Sequence, residues 1–159
     1  MLIRNYGLFW SREKVWWGSG GKGNAGSLLG KKKGAKRKEP VDFRDQRGVY
    51  VLYDETFRIM YIGQAGGRAD QCLFQRLKQH RDDHLAERWK LFSWFGTRGV
   101  SGKGLTDKNE LKPSLTDALN HIEAIMLAAT EPPLNLQRGR FGSDVAQYLQ
   151  YYEEVDDEE

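Results

Sequence analysis

Arg76 and His80 stand four residues apart, and on a helix that spacing places both on one face. His80 and His84 repeat the spacing, as helical zinc ligands do, but no cysteine or carboxylate signature accompanies them and zinc is disfavoured. Glu123 sits among apolar neighbours on a second helical pattern. It reads either as a boundary carboxylate paired with a surface cation or as a ligand for a hard divalent metal, which takes oxygen donors. Two tyrosines lie in β-rich tripeptides, Gly48-Val49-Tyr50 and Tyr61-Ile62-Gly63. Upstream, Lys31, Lys32, Lys33, Lys36, Arg37 and Lys38 form a basic run that suits phosphate groups.

These residues need elements to hold them. Val49 to Tyr53 and Phe57 to Ile62 flank the polar Asp54-Glu55-Thr56 and predict a β-hairpin. Alternation puts Tyr50 and Leu52 on one face and Val49, Val51 and Tyr53 on the other. Glycines at the two outer ends let another backbone or a phosphate come close. After the turn-rich 64–70, Asp70 caps a predicted helix starting near Gln71, with Leu73, Phe74 and Leu77 on its apolar stripe. Trp89 to Phe95 predicts a third strand. Residues 96–113 read as a long loop, a flap beside the substrate. Thr116 to Thr130 predicts a helix stopped by Pro132-Pro133, its buried stripe being Leu119, Ile122, Ile125, Met126 and Ala129. A last helix is expected from Ser143 or Asp144 through Tyr151, with Val145, Tyr148, Leu149 and Tyr152 inward.

Ahead of the hairpin, Tyr6 to Trp10 and Lys14 to Trp17 read as two further strands paired around Ser11-Arg12-Glu13. Their aromatics are expected in a core, with a base-stacking surface as the alternative. Gly18 to Lys38 is rich in glycine and lysine and offers little apolar surface, so it reads as a mobile, phosphate-tracking arm.

Composition bounds the rest. The chain has 159 residues and one cysteine, Cys72, which excludes an internal disulfide and fits a reducing, cytoplasmic setting. Apolar runs are too short to span a membrane. Residues 1–48 carry 12 Lys or Arg against 4 Asp or Glu, a balance of +8, and the remainder carries 13 against 18, a balance of −5. Basic charge ahead of the hairpin points to a polyanion partner. Residues 153–159 form an acidic tail.

With these residues in order, residues 47–140 resemble the GIY-YIG nuclease family. Gly48-Val49-Tyr50 stands for the first motif, with Val for Ile, and Tyr61-Ile62-Gly63 for the second. Arg76-Leu-Lys-Gln-His80 matches the arginine and following histidine of the restriction-type members, Glu123 the metal-binding glutamate, with Glu131 as the alternative, and Asn135 the asparagine after that helix. Repair-type members often carry a basic residue after the second motif; this chain has Gln64 there, and Arg68 is the nearest cation.

The resemblance implies an α/β (α+β) fold with a small, mostly antiparallel central sheet flanked by helices. Residues 1–46 would form the aromatic hairpin and basic arm, 47–152 the nuclease domain and 153–159 the tail. It implies a divalent-metal-dependent endonuclease that hydrolyses phosphodiester bonds in DNA with Mg²⁺ or Mn²⁺, in a restriction or defence setting and with room for a homo-oligomer. In that scheme Tyr50 is the general base, helped by His80. Tyr61 orients phosphate or water, Arg76 grips the phosphate, and Glu123 holds the metal. Gly63 and Asn135 approach the substrate, as do the six basic residues of the arm. Two alternatives stand beside it: an RNA-directed nuclease or toxin, and a binding module that has lost its chemistry.

Overall fold

The structure is a computed structural model and describes residues 2–19, 25–36, 39–66, 70–106, 115–130, 141 and 145–152. It is a mixed α/β fold built on one sheet of seven strands. In chain order these are β1 (Asn5–Ser11), β2 (Leu29–Lys32), β3 (Val41–Asp42), β4 (Gly48–Tyr53), β5 (Ile59–Ala65), β6 (Leu91–Gly96) and, numbered after a small separate hairpin of β7 (Val100–Ser101) and β8 (Gly104–Leu105), β9 (Ala146–Gln150). Helix α1 spans Leu73–Gln79 and α2 spans Leu115–Thr130. Across the large sheet the order is β3-β2-β9-β1-β6-β4-β5. Every pairing is antiparallel except β1 with β9.

The β4–β5 hairpin forms as the sequence predicts. Its connection is fixed by Asp54, whose carboxylate accepts from the Thr56 and Arg58 amides and the Thr56 hydroxyl. Alternation then divides the core. Tyr50 and Leu52 join a layer with Leu73, Phe74 and Leu77 of α1, together with Trp10, Phe43, Trp89, Phe92 and Trp94. Val51 and Tyr53 point to the other side, where Phe95, Ile3 and the small residues Ala128 and Ala129 of α2 meet them. Two layers on one sheet are the usual way a domain hides both sheet faces. Gly48 is needed at the start of β4: its φ is +145°, and a Cβ there would overlap the Phe95 carbonyl.

Four expectations are corrected. Tyr6–Trp10 does form a strand, but its partners are β6 and β9, and Trp16 makes only an isolated bridge to Ser27. The basic stretch is not wholly a free arm: Leu29 to Lys32 is a strand in the sheet, anchored by the buried Leu28. The last element is β9, not a helix, because its backbone fills the gap between β2 and β1. On α2 the large apolar residues Leu119, Ile122 and Met126 are exposed, while Ala124, Ala128, Ala129 and His121 are buried. Close approach of helix to sheet needs small residues at the contact, and the alanines supply it.

The helix after the β4–β5 hairpin also starts later than the Asp70 cap predicts. Its N-cap is Cys72, and Gln75 reaches back to the Cys72 amide at 3.0 Å. The amides of Leu73 and Phe74 donate to the carbonyls of Gln46 and Arg44. The helix start is thus tied to the segment leading into β4.

Candidate functional site

The register of β4 and β5 sets the site. Tyr50 pairs with Gly63 and Leu52 with Tyr61, so both tyrosines rise from the same sheet face. A Cβ on Gly63 would collide with the Tyr50 hydroxyl and lie 2.7 Å from the Tyr61 ring. Glycine therefore lets the two rings lie over β5, 6.1 Å apart between centroids. On the same side, α1 ends at His80, its C-cap, whose ring lies 4.7 Å from that of Tyr61.

His80 links the parts. Its Nε2 lies 2.7 Å from the Tyr50 Oη and its Nδ1 2.7 Å from the Asp83 Oδ2. The Trp89 indole N–H donates to the His80 carbonyl at 3.0 Å, and both residues are buried. Burial opposes ionisation of Asp83. The Leu85 amide, the His80 ring and the nearby His84 outweigh it and hold the carboxyl below its ordinary range. An ionised Asp83 accepts from Nδ1–H, which leaves Nε2 with the lone pair and makes Tyr50 the donor to it.

Tyr50 is fully buried. Burial pushes its phenol up to about 12. The Arg76 guanidinium opposes that rise, and Tyr61, within hydrogen-bonding reach, adds to it. Tyr61 is only half-buried, so it is the more solvent-exposed residue of the pair. Arg76 holds one guanidinium nitrogen 3.3 Å from the Gln79 Oε1, while its buried Nε has no partner among the described residues. A buried donor without an acceptor is costly and suits an anion that supplies one.

The structure thus brings Tyr50, Tyr61, Arg76, His80 and Gly63 together and adds Asp83. The sequence signal for Asp83 is its position three residues after His80, diluted by the adjacent Asp82. Glu123 is not brought to this centre. It is exposed on α2, and α2 packs through Ala128 and Ala129 on the opposite sheet face, beside Val51 and Tyr53. Another residue of that helix, His121, accepts the Ile3 amide at 3.1 Å. Among the described residues no group of three or more His, Cys, Asp or Glu could hold a metal ion, and both Asp83 oxygens are already engaged.

Of the basic stretch, Lys31 sits on β2 with its ammonium 4.5 Å over the Tyr151 ring, and Lys32, Lys33 and Lys36 are exposed. Arg37, Lys38, Arg68, Glu131, Asn135 and the acidic tail lie outside the described residues. Among the described residues no helix is long and apolar enough to cross a membrane. Neither the family models, nor the curated proteins, nor the solved structures contain a match to this chain.

Proposed function

We propose that this chain is a GIY-YIG-type endonuclease that hydrolyses phosphodiester bonds in DNA. The observation that carries the reading is the hydrogen-bonded line from Tyr50 through His80 to Asp83, set beside an arginine whose buried Nε has no partner among the described residues. Hydrolysis of a phosphodiester needs a proton taken from water and negative charge held on the phosphate oxygens. Arg76 is suited to the second task, because its planar fork matches two phosphate oxygens.

The first task falls to the tyrosines as a pair. A phenol with a pKa of about 12 is protonated at neutral pH, so Tyr50 accepts a proton only while giving its own to His80 Nε2. Asp83 then stabilises the imidazolium and fixes the ring. Tyr61, at the solvent side, connects water or phosphate to the buried Tyr50. A divalent ion, when bound, would stabilise the leaving oxygen. The proton path here uses the chain's own groups.

Cleavage of duplex DNA, single-stranded DNA and RNA, each with Mg²⁺ and with chelator, tests the reading. Cutting of DNA that Tyr50→Phe abolishes is the expected result. Cutting confined to RNA would move the chain to the RNA-directed class. Binding with no cutting of any substrate would leave a silent module.

A further inference from the structure

The aromatic doublets at the chain's two ends are not used by the site above. Residues 16 and 17 are adjacent in extended chain, so their side chains diverge. Trp17 turns inward onto Phe74 and Trp89, with ring centroids 5.6 and 6.2 Å away. Trp16 turns outward and is 51% exposed. Tyr151 and Tyr152, just past β9, stand across from it. Together with the buried Trp10 these residues line a cavity of about 500 Å³, within the range of small-molecule sites. Among the described residues, none of the three outer rings is stacked on another ring. The space between them is open to a flat guest.

The rim selects its charge. Lys14 lines the cavity and holds its ammonium 4.5 Å over the Tyr152 ring, while Lys31, outside the lining on β2, holds its own 4.5 Å over the Tyr151 ring. None of the described lining residues is acidic. A cationic guest such as a methylated amine would be repelled, and a purely apolar one would gain nothing from the lysines. A planar aromatic ring that carries a negative group satisfies both features.

We infer that this cavity binds an unpaired nucleobase of a nucleic-acid strand, with Lys14 and Lys31 on its phosphates. Stacking on an exposed indole needs a base free of its pairing partner. The cavity sits at the β2–β9–β1 side of the sheet, and Trp10 shares the core layer of Tyr50. Strands lie about 4.8 Å apart, so β9 is roughly 15 Å from β4 across the sheet. One strand of nucleic acid a few nucleotides long spans that interval. The inference concerns binding alone and stands whether or not the chain cleaves.

The test is fluorescence anisotropy of labelled oligonucleotides with the full chain in chelator. Three probes are compared: single-stranded oligothymidylate, the same backbone with abasic sites throughout, and a blunt duplex. Wild type is expected to bind oligothymidylate more tightly than the abasic strand. Trp16→Ala should weaken oligothymidylate binding about 5- to 150-fold, the range for loss of one stacked base, and leave the abasic strand and duplex unaffected. Trp16→Phe should restore most of the loss. Equal binding of oligothymidylate and abasic strand by wild type, or of oligothymidylate by wild type and Trp16→Ala, would overturn the inference. Failure of the cleavage assays would sink the nuclease reading and leave this comparison intact.

Discussion

Tyr50 has no exposed surface, yet it is the residue on which the proposed proton path turns. Tyr50→Phe removes one oxygen from a packed ring and should cut single-turnover cleavage by about two to four orders of magnitude. Asp83→Asn should cost up to about 10⁴-fold, because the amide can no longer hold an imidazolium, while thermal unfolding changes little. Equal rates for Asp83→Asn and wild type would remove Asp83 from the path. Burial pushes both Tyr50 and Tyr53 up to about 12. In the unfolded chain they ionise near 10, so from pH 10 upward the folded state holds protons that the unfolded state has lost. The contribution of these two tyrosines should be constant below pH 10 and fall as pH rises toward 12, on the order of 2 kcal/mol for each. Denaturant unfolding at pH 8 and pH 11 checks this, and Tyr50→Phe should shrink the difference. Tyr50, Tyr61, Arg76 and His80 were singled out by the family resemblance, and the fold brings them together. Asp83 was not, since a surface Asp-Asp pair is common and only the fold turns one toward His80.

The elements divide by how much of their structure is local. The β4–β5 hairpin and α1 carry their own turn and cap chemistry, so the sequence reveals them. Residues 145–152 do not: Val145, Tyr148, Leu149 and Tyr152 have helical spacing, but the backbone pairs on both sides, burying Tyr148 and exposing Leu149. Long-range pairing overrode the local pattern. α2 misleads differently, because its bulkiest residues form a stripe that faces out and its alanines face in. Hence Ile122→Lys should change stability by no more than about 0.5 kcal/mol, while Ala128→Leu should cost about 1–3 kcal/mol through overpacking against the sheet. Chemical denaturation of the two variants decides between this placement and one with Ile122 inward. Gly63→Ala should abolish cleavage as thoroughly as Tyr50→Phe, because the added methyl displaces both rings, and circular dichroism should show the sheet retained.

At the scale of the molecule, charge and chain order matter. Lys31, Lys32 and Lys33 follow one another at one end of the sheet. Each phosphate contact adds about −0.9 to the log–log slope of duplex affinity against salt. Replacing all three with Ala should flatten that slope by up to about three in anisotropy titrations and hardly alter single-turnover cleavage at saturating enzyme. An unchanged slope would show that they do not touch the backbone. The position of β9 has a different kind of consequence. It follows every other described strand in the chain, and among the described residues it alone joins the β2–β3 pair to β1 by backbone hydrogen bonds. Strand β1, among the first segments made, waits for residues 146–148 before its second edge is filled. Contact order is correspondingly high, which places folding toward the slow, millisecond-to-second range. Until synthesis passes residue 150, β1 and β2 of the growing chain each keep one edge unpaired, the kind of edge that invites pairing with another chain.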